Sequence, residues 1–225
     1  MPFVNTLKPA GLSPLRYLNA AKYDGKGQMY CVLAADVNPY YVGDLVAPIS
    51  GGDPNGIPSM TLAAAGGIAV GVIVAIGTLN AGTGYKAPGG PYINPLNLNV
   101  VNRPAGAQPQ IYYALVSDDP NIVYEVQEGG AAANLTTAVC NKNANILYAA
   151  PVTGGAPVPV ISGTTLDGGS VGTGAALNLK ILRLVQRIDN HFATAPPSLP
   201  TGGGGQKWEV LINNHVYRAG TAGTS

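Results

Sequence analysis

The chain has 225 residues, of which only 10% are charged (12 Lys or Arg against 11 Asp or Glu), while Gly and Pro contribute 31 and 19. A soluble domain usually carries nearer about 25% charge, and a solitary monomer stays dispersed through mixed surface charge, so this composition fits a protein covered by neighbours in an assembly. A net charge of +1 supplies no global field toward nucleic acid, and 46% apolar residues suffice for a core.

The first 26 residues read as an extended N-terminal arm. Pro2, Pro9 and Pro14 oppose regular structure, and Asp24-Gly25-Lys26-Gly27 closes the segment with a turn. Leu12, Leu15, Tyr17 and Leu18 are apolar anchors that need a surface, either the protein's own core or a neighbouring copy. Met1-Pro2-Phe3-Val4-Asn5 lacks the basic and apolar regions of a secretory signal. Maturation in a reducing cytoplasm is therefore expected, with Cys31 and Cys140 as thiols. Asn134-Leu135-Thr136 then matches a glycosylation acceptor by chance.

Strand signals begin at Gln28. Residues 29–33 form a short apolar run, and 40–49 a second, with Gly43-Asp44 in its midst and Pro48 near its end. Residues 50–58 are a turn cluster. No charged residue lies between Asp53 and Lys86, and residues 60–79 are long enough for a membrane-spanning helix. However, Gly66, Gly67, Gly71 and Gly77 break that run, and no Lys/Arg cluster flanks it. It divides into 62–65, a Gly66-Gly67 turn and a β-branched stretch 68–76, which predicts a hairpin of buried strands and no membrane association. Residues 77–110 are loop-like, with a short alternating strand at 96–100.

A strand is expected at 111–116, a tight turn at Ser117-Asp118-Asp119-Pro120-Asn121, and a half-buried strand at 122–128. In that strand Ile122, Tyr124 and Val126 share one face, opposite Glu125 and Gln127. Small-residue loops with weak strands at 146–148 and 158–161 follow. Residues 176–188 alternate Leu177, Leu179, Ile181 and Val185 with Asn178 and Lys180, and Arg183 interrupts the apolar face. A strand is favoured there, with an amphipathic helix as the alternative. Pro196, Pro197, Pro200 and Gly202–Gly205 form a link. Trp208, Val210 and Ile212 mark the last strand, and residues 219–225 are expected to fray. The predicted fold is all-β, a short-stranded β-barrel or sandwich with long loops. It divides into an extended Pro/Gly-rich arm (1–26), a core (27–195), and a linker, C-terminal strand and tail (196–225).

No motif predicts catalysis. Gly168-Gly169-Ser170-Val171-Gly172 matches a nucleophile elbow, with Asp189 and His191 following in order, but the Ser sits in a Gly-rich loop without the strand-turn-helix that an elbow requires. His191 and His215 lack second ligands at a recognised spacing and read as surface-loop residues. Asp118-Asp119 reads as a turn and Glu125 as the solvent side of a strand, not as a glycosidase pair. Asp53-Pro54-Asn55-Gly56 offers too few oxygens for calcium. No phosphate-binding loop occurs, and Lys180, Arg183 and Arg187 make a poor stripe for nucleic acid. No catalytic residue, cofactor or metal is expected. The 12 Tyr suit interfaces and core edges equally. Charge is segregated: residues 1–26 hold four basic and one acidic group, 27–141 two and seven, and 142–225 six and three. Such ends and middle could dock head to tail between copies, or differ by chance.

The runs YALVSDDPNIVYEVQE (113–128), LNLKILRLVQRIDNHF (177–192) and WEVLINNHVYR (208–218) resemble segments of tailed-bacteriophage head proteins. The pattern GDLVAPISGG…AAAGGIAVGVIVAI (43–76) resembles capsid decoration (head-stabilising, cement) proteins, whose short β-barrels carry Gly-Asp-x-Val and Gly-Val-Ile strands. The resemblance implies a non-enzymatic virion protein, assembled in the host cytoplasm and bound to the capsid exterior. There it would stabilise contacts between major capsid subunits. Its implied partners are the major capsid protein and other copies of itself, with no direct nucleic-acid or membrane contact. Burial logic nominates Leu12, Leu15, Arg16 and Tyr17 of the arm, with Trp208 and Tyr217, as partner contacts. The alternative is a carbohydrate-binding or host-attachment β-module with an exposed aromatic platform.

Overall fold

The computed structural model describes residues 9–78, 86–87, 90–91, 102–129, 135–149, 161–187, 190 and 205–224. The chain is all-β, as the strand spacing predicts. In order the strands are β1 (Ser13–Tyr17), β2 (Gln28–Val32), β3 (Tyr40–Tyr41), β4 (Leu45–Gly52), β5 (Pro58–Leu62), β6 (Gly71–Thr78), β7 (Lys86–Ala87) and β8 (Gly90–Pro91). They continue with β9 (Asn102–Arg103), β10 (Tyr112–Ser117), β11 (Ile122–Gly129), β12 (Asn143–Ala144), β13 (Ile146–Leu147), β14 (Thr165–Asp167), β15 (Leu179–Leu184) and β16 (Lys207–Ile212). The helical turns among the described residues are two 3₁₀ turns, Thr137–Val139 and Gly168–Ser170. No helix among them is long and apolar enough to cross a membrane.

Strands β10-β2-β5-β4-β6 close into a barrel, while β12-β15-β16-β11-β14-β13 form an open sheet that β1 joins through β11. Side-chain alternation along the barrel strands feeds two cores. Val46, Met60, Ile73, Ile76 and Val116 fill one cluster. Leu45 and Val72, the alternate neighbours on β4 and β6, join Tyr124, Val126, Ile181, Trp208 and Val210 of the open sheet in the other. The barrel thus packs one outer side against the sheet.

The expected hairpin at 62–76 is corrected by this topology. The chain does turn at Gly66-Gly67, where Gly67 N–H donates to Ala64 O at 2.9 Å. Its flanking strands do not pair, because β4 lies between them: Val46 is in register with both Leu62 of β5 and Gly71 of β6. Ala63 N–H bonds to Leu45 O and Val70 N–H to Val46 O, so both ends of the connection attach to β4 rather than to each other. A long uncharged run signals burial but does not identify the partner strand.

Within the expected arm, residues 13–17 are strand β1, antiparallel to the first half of β11. Pro14 is tolerated because β1 is an edge strand. Just before it, Leu12 N–H donates to Gly43 O at 2.8 Å, and a Cβ on Gly11 (φ +68°) would collide with the Gly43 backbone. Asp44, the next residue after Gly43, ties the same corner to the segment before β14. Its Oδ1 accepts from the Ser162 and Thr164 hydroxyls (2.5 and 3.1 Å) and its Oδ2 from Tyr41 N–H (2.8 Å).

β11 is more deeply buried than an edge-on alternation predicts. Gln127, expected in solvent, is 3% exposed, with its Nε2 donating to Gly205 O at 2.7 Å. β15 is a strand, not a helix. A register shift between Ile181 and Arg183 is why Arg183 interrupts the apolar pattern: the bulge sends Leu184 into the core and Arg183 outward. The tail expected to fray is bonded, with Gly223 N–H to Thr173 O and Thr224 N–H to Asn141 O, each at 3.0 Å.

Candidate functional site

The nominated contact residues divide sharply. Leu12 (1% exposed) and Trp208 (0%) are core residues, which removes them as contacts. The apolar surface each one needed is the protein's own. Trp208 Nε1 donates to Glu128 Oε2 at 3.1 Å. Arg16 is directed inward along the sheet, 2.7 Å from Glu209 Oε2, and Leu15 is half-buried on β1. Tyr17 and Tyr217 remain at the surface, Tyr217 at 63% exposure.

Tyr217 stands on the 213–218 loop, which is joined to the 64–69 loop by paired backbone bonds. Ala69 N–H donates to Asn214 O and Val216 N–H to Ala69 O, both at 2.9 Å. This parallel bridge places Ile68, Val216 and Tyr217, all exposed, on two mutually braced loops. Beneath them lies His215, 3% exposed and so not the surface residue expected. Its Nδ1 accepts from Tyr217 N–H at 3.1 Å, which sets the loop backbone. Burial, helped by the nearby Arg218 cation, lowers its pKa to about 4, so the imidazole is neutral at pH 7.

From the ridge a polar path leads to the β10–β11 turn. Tyr217 Oη lies 3.2 Å from Tyr30 Oη, and Tyr30 Oη donates to Asp118 Oδ2 at 3.3 Å. Asp118 opens the β10–β11 turn, where Asp119 Oδ1 accepts from Asn121 N–H at 2.8 Å, the Asx geometry predicted for this tetrad. Burial raises the Asp118 pKa. Two depressions of about 440 and 420 Å³ flank Tyr17, and Asp119 lines both. Tyr17 Oη donates to Asp24 Oδ1 at 3.3 Å, and its ring leans on Tyr23 at 6.2 Å between centroids. Burial, then the Asp24 charge, raises the Tyr17 pKa. Tyr217 is therefore bonded through Tyr30 to Asp118, which shares the lining of the second depression with Tyr17.

Much of the remaining charge is engaged internally. Glu125 and Glu209 are cross-strand partners, a repulsive pairing unless compensated. Arg187 and Lys207 bracket Glu125 at 2.8 and 3.2 Å, and Arg16 and Arg183 bracket Glu209 at 2.7 and 3.0 Å. Burial pushes the Glu209 carboxyl up, but the Arg183 and Arg16 bonds outweigh it and hold its pKa below the ordinary value. Glu125, expected to be solvated, belongs to this ladder, and so do Arg183 and Arg187 of the expected basic group. Arg103 is fully buried among backbone carbonyls of Asp36, Asn38 and Pro104, with the Tyr40 and Tyr112 rings 5.9 and 5.8 Å away.

The Ser170 hydroxyl accepts from Asn145 N–H and donates to Asp167 O, both at 2.8 Å. It sits in a 3₁₀ turn with no α-helix after it among the described residues, and it ties β14 to the segment between β12 and β13. Asp189, His191 and Asn134 lie outside the described residues, as do the strand expected at 96–100 and residues 158–160 of the strand expected at 158–161. Among the described residues no three His, Cys, Asp or Glu side chains converge as a metal site. Both Asp53 carboxylate oxygens accept bonds, from Asn55 and Ile57 N–H, the Asn55 amide and Tyr113 Oη. Cys31 and Cys140 are free thiols.

Sequence reasoning missed Ile68 and Val216 as surface residues. Ile68 sits in a β-branched run that reads as buried, and its exposure follows from the bridge to the 213–218 loop, a contact nearly 150 positions away in sequence. No family model, curated protein or solved structure matches the chain.

Proposed function

We propose that this is a non-enzymatic structural protein of a tailed bacteriophage, which binds the outer surface of the capsid and stabilises contacts between major capsid subunits. The observation that carries the reading is the braced ridge of Ile68, Val216 and Tyr217. Three large apolar side chains stand exposed on loops whose backbones are bonded to each other. A preorganised apolar ridge with a Tyr at its tip has the composition of an interface centre. The resemblance of residues 43–76, 113–128, 177–192 and 208–218 to head and decoration proteins supplies the partner, the major capsid protein, and the location, the virion exterior. A protein that binds only the assembled lattice stabilises that lattice by mass action. Many copies on one shell multiply a modest single-site affinity where they contact one another.

The test is co-sedimentation of the purified protein with mature heads and with immature shells, both lacking it. Saturable binding to mature heads at fixed stoichiometry is expected. Tyr217→Ser should weaken it roughly 30-fold, the effect of about 2 kcal/mol at an interface centre. Absence of the protein from purified virions, or wild-type binding by Tyr217→Ser together with Ile68→Ser, would sink the reading.

A further inference from the structure

We propose that the paired depressions flanking Tyr17 form a saccharide-binding groove for a neutral oligosaccharide. This goes beyond capsid binding and does not rest on it. A pyranose ring is amphipathic, with an apolar C–H face and a rim of hydroxyls. It is held by an apolar wall together with planar amides and carboxylates that donate and accept at the edge. The first depression has this composition: Tyr17 and Leu18 are the apolar part, and Asn19, Asp119 and Asn121 the polar part. The second continues on the other side of Tyr17, with Leu115 beside Gln28 and Asp118. Tyr17 and Asp119 are common to both, so an extended chain of sugar units could cross from one to the other.

The polar atoms are only partly used within the protein. The Asn121 side-chain amide makes no hydrogen bond among the described residues, since Asn121 bonds only through its backbone, to Asp119 Oδ1 and Leu18 N–H. Asn19 uses its Oδ1 alone, accepting from Ala21 N–H at 3.0 Å. Donors and acceptors therefore both face the solvent, as hydroxyl recognition requires.

The frame is set before any ligand arrives. Tyr17 N–H bonds to Ala21 O and Leu18 N–H to Asn121 O, both at 2.8 Å, and Ala20 holds the left-handed conformation (φ +68°) that closes the arm turn. A preformed site loses less to ordering on binding. The charge selects against acidic sugars. Asp118 and Asp119 line the groove, and Lys26, the one cation among the described residues that line it, is already 2.6 Å from Asp24.

The experiment titrates the ¹⁵N-labelled full chain, free of capsids, with maltohexaose, cellohexaose, chitohexaose and sialyllactose, followed by amide shifts. The expected result is saturable shifts at residues 17–19 and 119–121 with at least one neutral hexamer and none with sialyllactose. Asn121→Ala and Asp119→Asn should each weaken binding about fivefold or more, the loss of roughly one hydrogen bond. Asn121→Ala removes no side-chain bond within the protein, so its fold is retained, and an unchanged amide spectrum away from the groove checks this. No saturable shift with any hexamer, shifts confined to other residues, or unchanged affinity in both variants would overturn the proposal. Capsid co-sedimentation is unaffected by any of these outcomes.

Discussion

Acid should loosen the ridge through His215. The imidazole is buried, its Nδ1 already accepts from Tyr217 N–H, and its folded pKa is about 4 against an ordinary 6.5. Because the folded value lies below the unfolded one, the unfolded chain takes up the proton first as pH falls below 6.5. Stability then drops by about 1.4 kcal/mol per pH unit until the folded pKa is reached. Between pH 7 and pH 4 the loss from this one group is about 3 kcal/mol, a large share of a typical domain's stability. Arg218 adds to the depression, while Asp118 and Asp119 oppose it. Asp44 and Asp118 have pKa values raised by burial, and such groups stabilise the fold as pH falls, so the whole-protein profile mixes both signs. The difference between proteins isolates His215. Urea unfolding of wild type and of His215→Asn, whose amide oxygen can still accept from Tyr217 N–H, should diverge by about 3 kcal/mol between pH 7 and 4, with wild type falling faster. Parallel profiles, or an NMR titration of His215 centred near 6.5, would refute the buried-neutral assignment.

Gly11→Ala should detach the arm. The left-handed backbone and the collision with Gly43 predict a loss of at least about 2 kcal/mol, read by thermal melting, and faster proteolysis of the segment around β1. Trp208→Phe should cost about 1–3 kcal/mol in urea unfolding, since the buried Glu128 carboxylate loses the indole N–H while most of the ring volume is kept. Arg183→Met should cost under about 1 kcal/mol, an effect that shrinks further in salt. The Arg183 side chain is 55% exposed, and Glu209 retains Arg16.

The strands were legible where one face is apolar and the other is not. The runs that became β11, β15 and β16 are visible as period-2 patterns, that of β10 as a continuous apolar run before a turn, and the Asp118–Asn121 turn follows from its side-chain chemistry alone. Two things were not legible. One is which strand lies beside which: β4 enters between β5 and β6 because its backbone, not its side chains, receives Ala63 and Val70. The other is which large apolar residues are surplus to the core. Leu12 and Trp208 look like free anchors in a sequence, and Ile68 looks like core. Their exchange of roles is decided by tertiary bridges, from Leu12 to Gly43 and from Ala69 to the 213–218 loop, that no local pattern encodes. His215 is hidden for the same reason, since a histidine between Asn214 and Val216 shows no sign of burial until the two loops meet.

The scarcity of charge is sharper in the folded protein than in the composition. Asp44, Asp53 and Arg103 are buried, and Glu125 and Glu209 lie beneath the four cations that bracket them. These groups fix corners and strand registers and contribute little to the solvent-facing field. The ridge of Ile68, Val216 and Tyr217 carries no charge of its own. Arg218 beside it donates to Ile212 O at 3.1 Å, which ties the guanidinium back to the end of β16. An exposed apolar ridge is poorly protected against self-association. Its retention is physically consistent with a protein whose exposed ridge is covered once it reaches its place on a larger surface.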